Sequence, residues 1–85
     1  MVKFEKTLEK VLRGVSDANV GFDELRKLLN GLGFRERVRG DHHIYTRDDI
    51  AEIINLQPKG SKAKPYQVKQ VRNLILKYKL AGEND

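Results

Sequence analysis

Leu32-Gly33-Phe34-Arg35-Glu36-Arg37-Val38-Arg39-Gly40-Asp41-His42-His43-Ile44-Tyr45-Thr46 is the stretch in which the hydrophobic period of the chain changes. Upstream of it, apolar residues recur at helical spacing: Phe4, Leu8, Val11 and Leu12, then Phe22, Leu25, Leu28, Leu29 and Leu32. Each set makes one stripe of a 3.6-residue helix, which predicts helices over residues 2–13 and 22–32, stopped by Gly14 and Gly33. Inside the quoted stretch alternation takes over, and Arg35, Arg37 and Arg39 fall on one face of a strand. Gly40-Asp41 reads as a turn, residues 42–46 as a second strand, Arg47-Asp48-Asp49 as another turn, and residues 50–56 as a third strand. Pro58 to Lys64, with Gly60 and Ser61 among lysines, reads as a loop. Pro65 suits the first turn of a last helix. Val68, Val71, Leu74, Ile75 and Tyr78 form its apolar side up to Leu80, with Lys69, Arg72, Asn73, Lys77 and Lys79 opposite.

The order α-α-β-β-β-α predicts an α+β fold: a small antiparallel three-stranded sheet with helices on one face and the other face open. The 85 residues allow one domain, 1–85, with an extra N-terminal helix over 1–14, a core over 20–80 and a flexible tail over 81–85. Hydrophobic residues make up 39% and charged residues 34%, and the mean hydropathy of −0.62 suits a soluble domain. No apolar run approaches the ~20 residues of a membrane span. The first residues carry no apolar segment of signal-peptide length, so the expected compartment is the cytoplasm. The absence of cysteine excludes disulfides, thiolate zinc sites and cysteine nucleophiles.

The net charge of +5 is unevenly placed. Residues 1–57 carry ten basic and ten acidic side chains, whereas residues 58–79 carry Lys59, Lys62, Lys64, Lys69, Arg72, Lys77 and Lys79 with no acid. Glu83 and Asp85 offset part of that excess. One basic segment is what a phosphate-binding surface requires; a lysine-rich solvated helix has the same composition.

The two histidines are adjacent and follow the Gly40-Asp41 turn. Histidine titrates near neutrality and so can move a proton in a reaction. The alternative is that one ring packs with Tyr45 and the other is merely solvated. Strand neighbours point to opposite faces, so His42 and His43 do not readily share a metal ion, and Asp41 with His43 supplies only two ligands. Neither a metal nor another cofactor is therefore expected. Lys59-Gly60-Ser61-Lys62 lacks the glycine spacing of a nucleotide phosphate loop, and no serine or threonine stands in a nucleophile-elbow context. Tyr45 and Tyr66 are candidates for contact with bases; Tyr78 continues the apolar stripe into the core.

With these elements in place, the sequence resembles the HicA family of bacterial toxins. The resemblance covers residues 20–80 and centres on Phe22-Asp23-Glu24-Leu25-Arg26-Lys27-Leu28-Leu29, Leu32-Gly33-Phe34 and Gly40-Asp41-His42-His43-Ile44-Tyr45. It implies an α-β-β-β-α fold like that of double-stranded RNA-binding domains. It also implies a metal-independent endoribonuclease that cleaves mRNA and is inhibited by a HicB antitoxin. Position by position, the family's active-site histidine falls on His42, and His43 on a variable position. Some relatives carry Pro-x-His where this chain has Asn55-Leu56-Gln57. RNA brings its own nucleophile, the 2′-OH, so His42 need only act as base or acid, and either role is open. His43, Tyr45, Arg39, Lys59, Lys62, Lys64, Lys69 and Arg72 are the candidate RNA contacts. Two other classes stay open: an RNA-binding module of the same fold without catalysis, and a protein-interaction domain. Strict alternation puts His42 on the face of Ile44, an apolar residue expected in the core, and so favours His43 as the exposed ring. The resemblance selects His42.

Overall fold

The computed structural model describes residues 5–81. The predicted start of the first helix at residues 2–4, and residues 82–85 of the predicted tail, lie outside them. Helix α1, Glu5–Arg13, buries Val11 and sets Leu8 and Leu12 beside the core. A short 3₁₀ turn, Asp17–Asn19, leads to α2, Phe22–Gly31. The Gly21 N–H at the head of α2 donates to the Glu24 carboxylate at 2.8 Å, satisfying one of the amides that a helix start leaves without a partner. At its tail the Gly33 N–H donates to Asn30 and the Phe34 N–H to Leu29, both at 3.1 Å. Those two bonds are the Schellman pattern, and they require the left-handed Gly33, whose φ is +95°. The predicted stop is thus met by the one residue type that takes this conformation without strain.

Three strands follow: β1, Arg35–Arg39; β2, His42–Arg47; and β3, Ile50–Leu56. They form an antiparallel sheet in the order β1-β2-β3. Arg39 pairs with His42, Glu36 with Tyr45, Tyr45 with Ile54 and His43 with Leu56. Glu36, His43, Tyr45, Ile54 and Leu56 therefore share the face that α2 and α3 cover. Arg35, Arg37, Arg39, His42, Ile44 and Asn55 share the other. Helix α3, Pro65–Tyr78, presses Val68, Val71, Leu74 and Ile75 into the same core as Leu25, Leu28 and Leu29 of α2. This is the expected α+β arrangement, with α-β-β-β-α order and an N-terminal helix. No helix among the described residues is long and apolar enough to cross a membrane.

Two sequence expectations need correction. Residues 58–64 are not an open loop: β4, Pro58–Lys59, and β5, Lys62–Ala63, form a small hairpin. The Ala63 N–H donates to Val20 and the Phe22 N–H to Ser61, each at 2.9 Å. The hairpin is thus tied to the segment that enters α2. Arg72 does not belong to the wet side of α3. Its guanidinium donates to both Asp17 carboxylate oxygens, at 2.9 and 3.2 Å, and to the Val11 carbonyl at 3.1 Å. The arginine stem reaches across the end of α1, where a helical wheel of α3 alone sees only solvent.

Candidate active site

Arg39, Gly40, Asp41 and His42 make the tight β1–β2 connection. Gly40 has φ +60° and stands at the first central position of a two-residue hairpin turn, where right-twisted strands demand positive φ. The turn projects His42 onto the open face of the sheet, with its side chain 48% exposed and Arg39 directly across the ladder. The ring Nδ1 lies 3.2 Å from Asn55 Oδ1, and Nε2 lies 3.7 Å from Asp41 Oδ1. Gln57 Nε2 donates to Asp41 Oδ2 at 2.8 Å, and Lys64 Nζ donates to Gln57 Oε1 at 3.3 Å. The Gln57 amide is the main cause that holds the Asp41 carboxyl below its ordinary range. Below the sheet, buried Gln67 clamps the Gln57 backbone. In the amide orientation that satisfies both groups, it donates to the Gln57 carbonyl (3.3 Å) and accepts from its N–H (3.0 Å).

His43 points the other way. Its side chain is 15% exposed, its ring meets Phe22 edge-on at 4.9 Å, and Nδ1 lies 3.1 Å from Glu36 Oε2. Glu36 also accepts from Arg26, through Nε at 2.8 Å and Nη2 at 3.2 Å, and from the Tyr45 hydroxyl. The Arg26 guanidinium, first among these donors, holds the Glu36 carboxyl down to about 2. Burial and the facing carboxylate push the Tyr45 hydroxyl up. Charge is concentrated here for packing reasons: four polar groups satisfy one another between α2 and the sheet.

Strand alternation separated the two histidines as expected, and the assumption that Ile44 belongs to the core was the error. Ile44 is only half-buried and lies with His42 on the uncovered side. Tyr45 is 0% exposed, so it does not reach a bound RNA, and His43 is shielded beneath the sheet. Arg72 is likewise removed from the candidate RNA contacts by its ion pair with Asp17. Arg39, Lys59, Lys62 and Lys69 are exposed, and Lys64 stands at the edge of the His42 cluster. Lys69 lies on the helix side of the sheet, lining a groove of about 330 Å³ with Glu52, Tyr66, Asn73 and Lys77. Within that groove Lys77 is paired to Glu52 at 2.7 Å. The basic segment is therefore divided among a hairpin, a groove and an internal tie. Among the described residues, no three of the His, Asp or Glu side chains come together in a way that would hold a metal ion.

Asn55 and Gln57 were invisible as site residues in the sequence, where they marked only the absence of Pro-x-His. The usable signal was register: two antiparallel neighbours of His42 on its own face must come from the end of β3 and the residue that follows it.

The family model of the HicA toxin of bacterial toxin–antitoxin systems matches residues 22–82, from the first residue of α2 past the end of α3. The chain belongs to the HicA toxin family. It is the toxin of a toxin–antitoxin pair, and the family implies a cognate antitoxin as its partner. Comparison with curated proteins and with solved structures returned no match. Within this HicA chain, α1 lies outside the matched region; Arg72 and Asp17 tie α3 to the segment that follows α1.

Proposed function

We propose that this HicA toxin is a metal-independent endoribonuclease that cleaves mRNA, with His42 as its acid–base residue. The observation that carries the proposal is the position of His42: a half-exposed imidazole at the head of a row of arginines, on the sheet face opposite α2 and α3. In the reaction the 2′-OH gives its proton to the ring, and O2′ forms a bond to phosphorus as the P–O5′ bond breaks. The leaving 5′-oxygen takes a proton from the protonated ring or from solvent. The products are a 2′,3′-cyclic phosphate and a 5′-hydroxyl end. Arg39, across the ladder from His42, and Lys64, joined to Asp41 through Gln57, supply cations for the charge that builds on the phosphate oxygens. Lys59 and Lys62 on the hairpin bind flanking phosphates. A proton-transfer residue of this kind contributes typically 10²–10⁴-fold, so a slow enzyme is expected.

The cognate antitoxin, of HicB type, silences the enzyme by covering His42 and the arginine row. Acidic side chains suit that role, since they complement the surface and speed encounter. The test is end-group analysis of RNA incubated with the purified toxin in excess EDTA. The expected products carry 5′-hydroxyl and cyclic phosphate ends. Cleavage that needs a divalent ion, or that leaves 5′-phosphates, contradicts the proposal. Binding without any cleavage identifies a non-catalytic RNA-binding module instead.

A further inference from the structure

Resting on the ribonuclease reading, we propose that Asn55 is a positioning residue that holds His42 as its Nδ1–H tautomer, so that Nε2 meets the substrate and His42 enters the reaction as a base. Asn55 faces Ile44 in the β2–β3 register and is thereby a diagonal neighbour of His42 on the open face. Its Oδ1 stands 3.2 Å from His42 Nδ1. A carbonyl oxygen accepts hydrogen bonds and donates none, so its partner nitrogen must carry the proton. In the neutral ring Nε2 then holds the lone pair.

The surroundings of Nε2 fit that role. Asp41 Oδ1 is 3.7 Å away, too far to accept a hydrogen bond, so Nε2 stays free to take a proton from the substrate. The carboxylate does not swing in freely, because Gln57 holds its other oxygen at 2.8 Å. The proton travels from the 2′-OH to Nε2 as the O2′–P bond forms, and Nδ1 keeps its proton throughout. Asn55 touches neither substrate nor reacting atoms and acts only through the ring.

In water a histidine side chain favours the Nε2–H tautomer, so the contact leaves a signature that needs no substrate. Long-range ¹H–¹⁵N correlation spectra of the whole toxin, recorded at alkaline pH, are expected to show protonated Nδ1 and unprotonated Nε2. Asn55→Leu should return the ring to the Nε2–H form and lower kcat roughly 10- to 100-fold, less than the 10²–10⁴-fold of a full acid–base contribution, with KM little changed. Asn55→Asp keeps an acceptor, so it should retain the Nδ1–H tautomer and much of the rate. Its added charge should move the acid limb of the pH–rate profile to higher pH. A wild-type ring in the Nε2–H form overturns the proposal, since the Asn55 amide would then present its NH₂ to Nδ1. So does an Asn55→Leu variant with wild-type kcat and pH profile. A wild-type Nδ1–H tautomer in a protein that cleaves no RNA refutes the ribonuclease reading and leaves the Asn55–His42 hydrogen bond standing.

Discussion

Replacing Glu36 by glutamine removes one charge and little volume from the cluster between α2 and the sheet. In the native protein that carboxylate accepts from Arg26 twice, from His43 and from Tyr45. Its carboxyl is held down to about 2, against an ordinary value of 4.5, chiefly by Arg26. At 1.36 kcal/mol per pK unit the difference has a ceiling of about 3 kcal/mol. Part of the Arg26 side chain stays in water, which lowers the expected loss at neutral pH to about 2 kcal/mol. For a domain of this size that is a fall in Tm on the order of 10 °C. The direction with pH follows from the depressed value. The contribution is fully present above pH 4.5 and is lost as pH falls through about 2, because the carboxyl is then protonated in the native and the unfolded chain alike. Urea denaturation followed by circular dichroism, run on both proteins between pH 7 and pH 2, should therefore show a stability gap that closes below pH 4.5. A gap under about 0.5 kcal/mol at pH 7, or one that does not change with pH, refutes the assignment of that charge to packing.

Three further outcomes are expected. RNA affinity should fall with salt, and Arg37→Gln with Arg39→Gln should flatten the log–log slope by roughly 0.7 for each phosphate of a single strand that is no longer neutralised, as titrations at several salt concentrations will show. Arg72→Gln should leave that slope unchanged while lowering the melting temperature, because Arg72 binds Asp17 and not phosphate. The antitoxin should protect the amides of β1 and β2 around Arg39 and His42 from hydrogen exchange in the complex; protection confined to α1 or to the Tyr66–Lys77 groove contradicts inhibition by masking.

The elements of this fold were legible wherever a local period set them. Phe22, Leu25, Leu28 and Leu29 mark α2 because a helix repeats its buried face every few residues, and Arg35, Arg37 and Arg39 mark β1 because a strand alternates. Gly33 and Gly40 announced a helix stop and a turn that both take positive φ. What escaped depends on long-range pairing. The hairpin at residues 58–63 is tied to residues 20–22, some forty positions away, so no local pattern reveals it. Arg72 left the solvated side of α3 because Asp17 and the end of α1 arrive beside it. For the site, His42 was found, and its separation from His43 followed from parity. The error about Ile44 arose because one apolar residue does not tell which face of a sheet the helices cover. Tyr45 looked like a base-stacking residue beside the histidines, yet it pairs with Glu36 across the ladder and is sealed under α2. Asn55 meets His42 only through the β2–β3 register.

The central claim is that His42, on the open face, moves the proton, while His43 beneath the sheet packs. The direct measurement compares RNA cleavage by His42→Ala and His43→Ala, each with its RNA affinity and melting curve. The account predicts that His42→Ala abolishes cleavage and keeps wild-type folding and binding. It predicts that His43→Ala retains much of the cleavage at a lower melting temperature, since its ring lies against Phe22 and Glu36. Normal cleavage by His42→Ala, whether or not His43→Ala is dead, contradicts it.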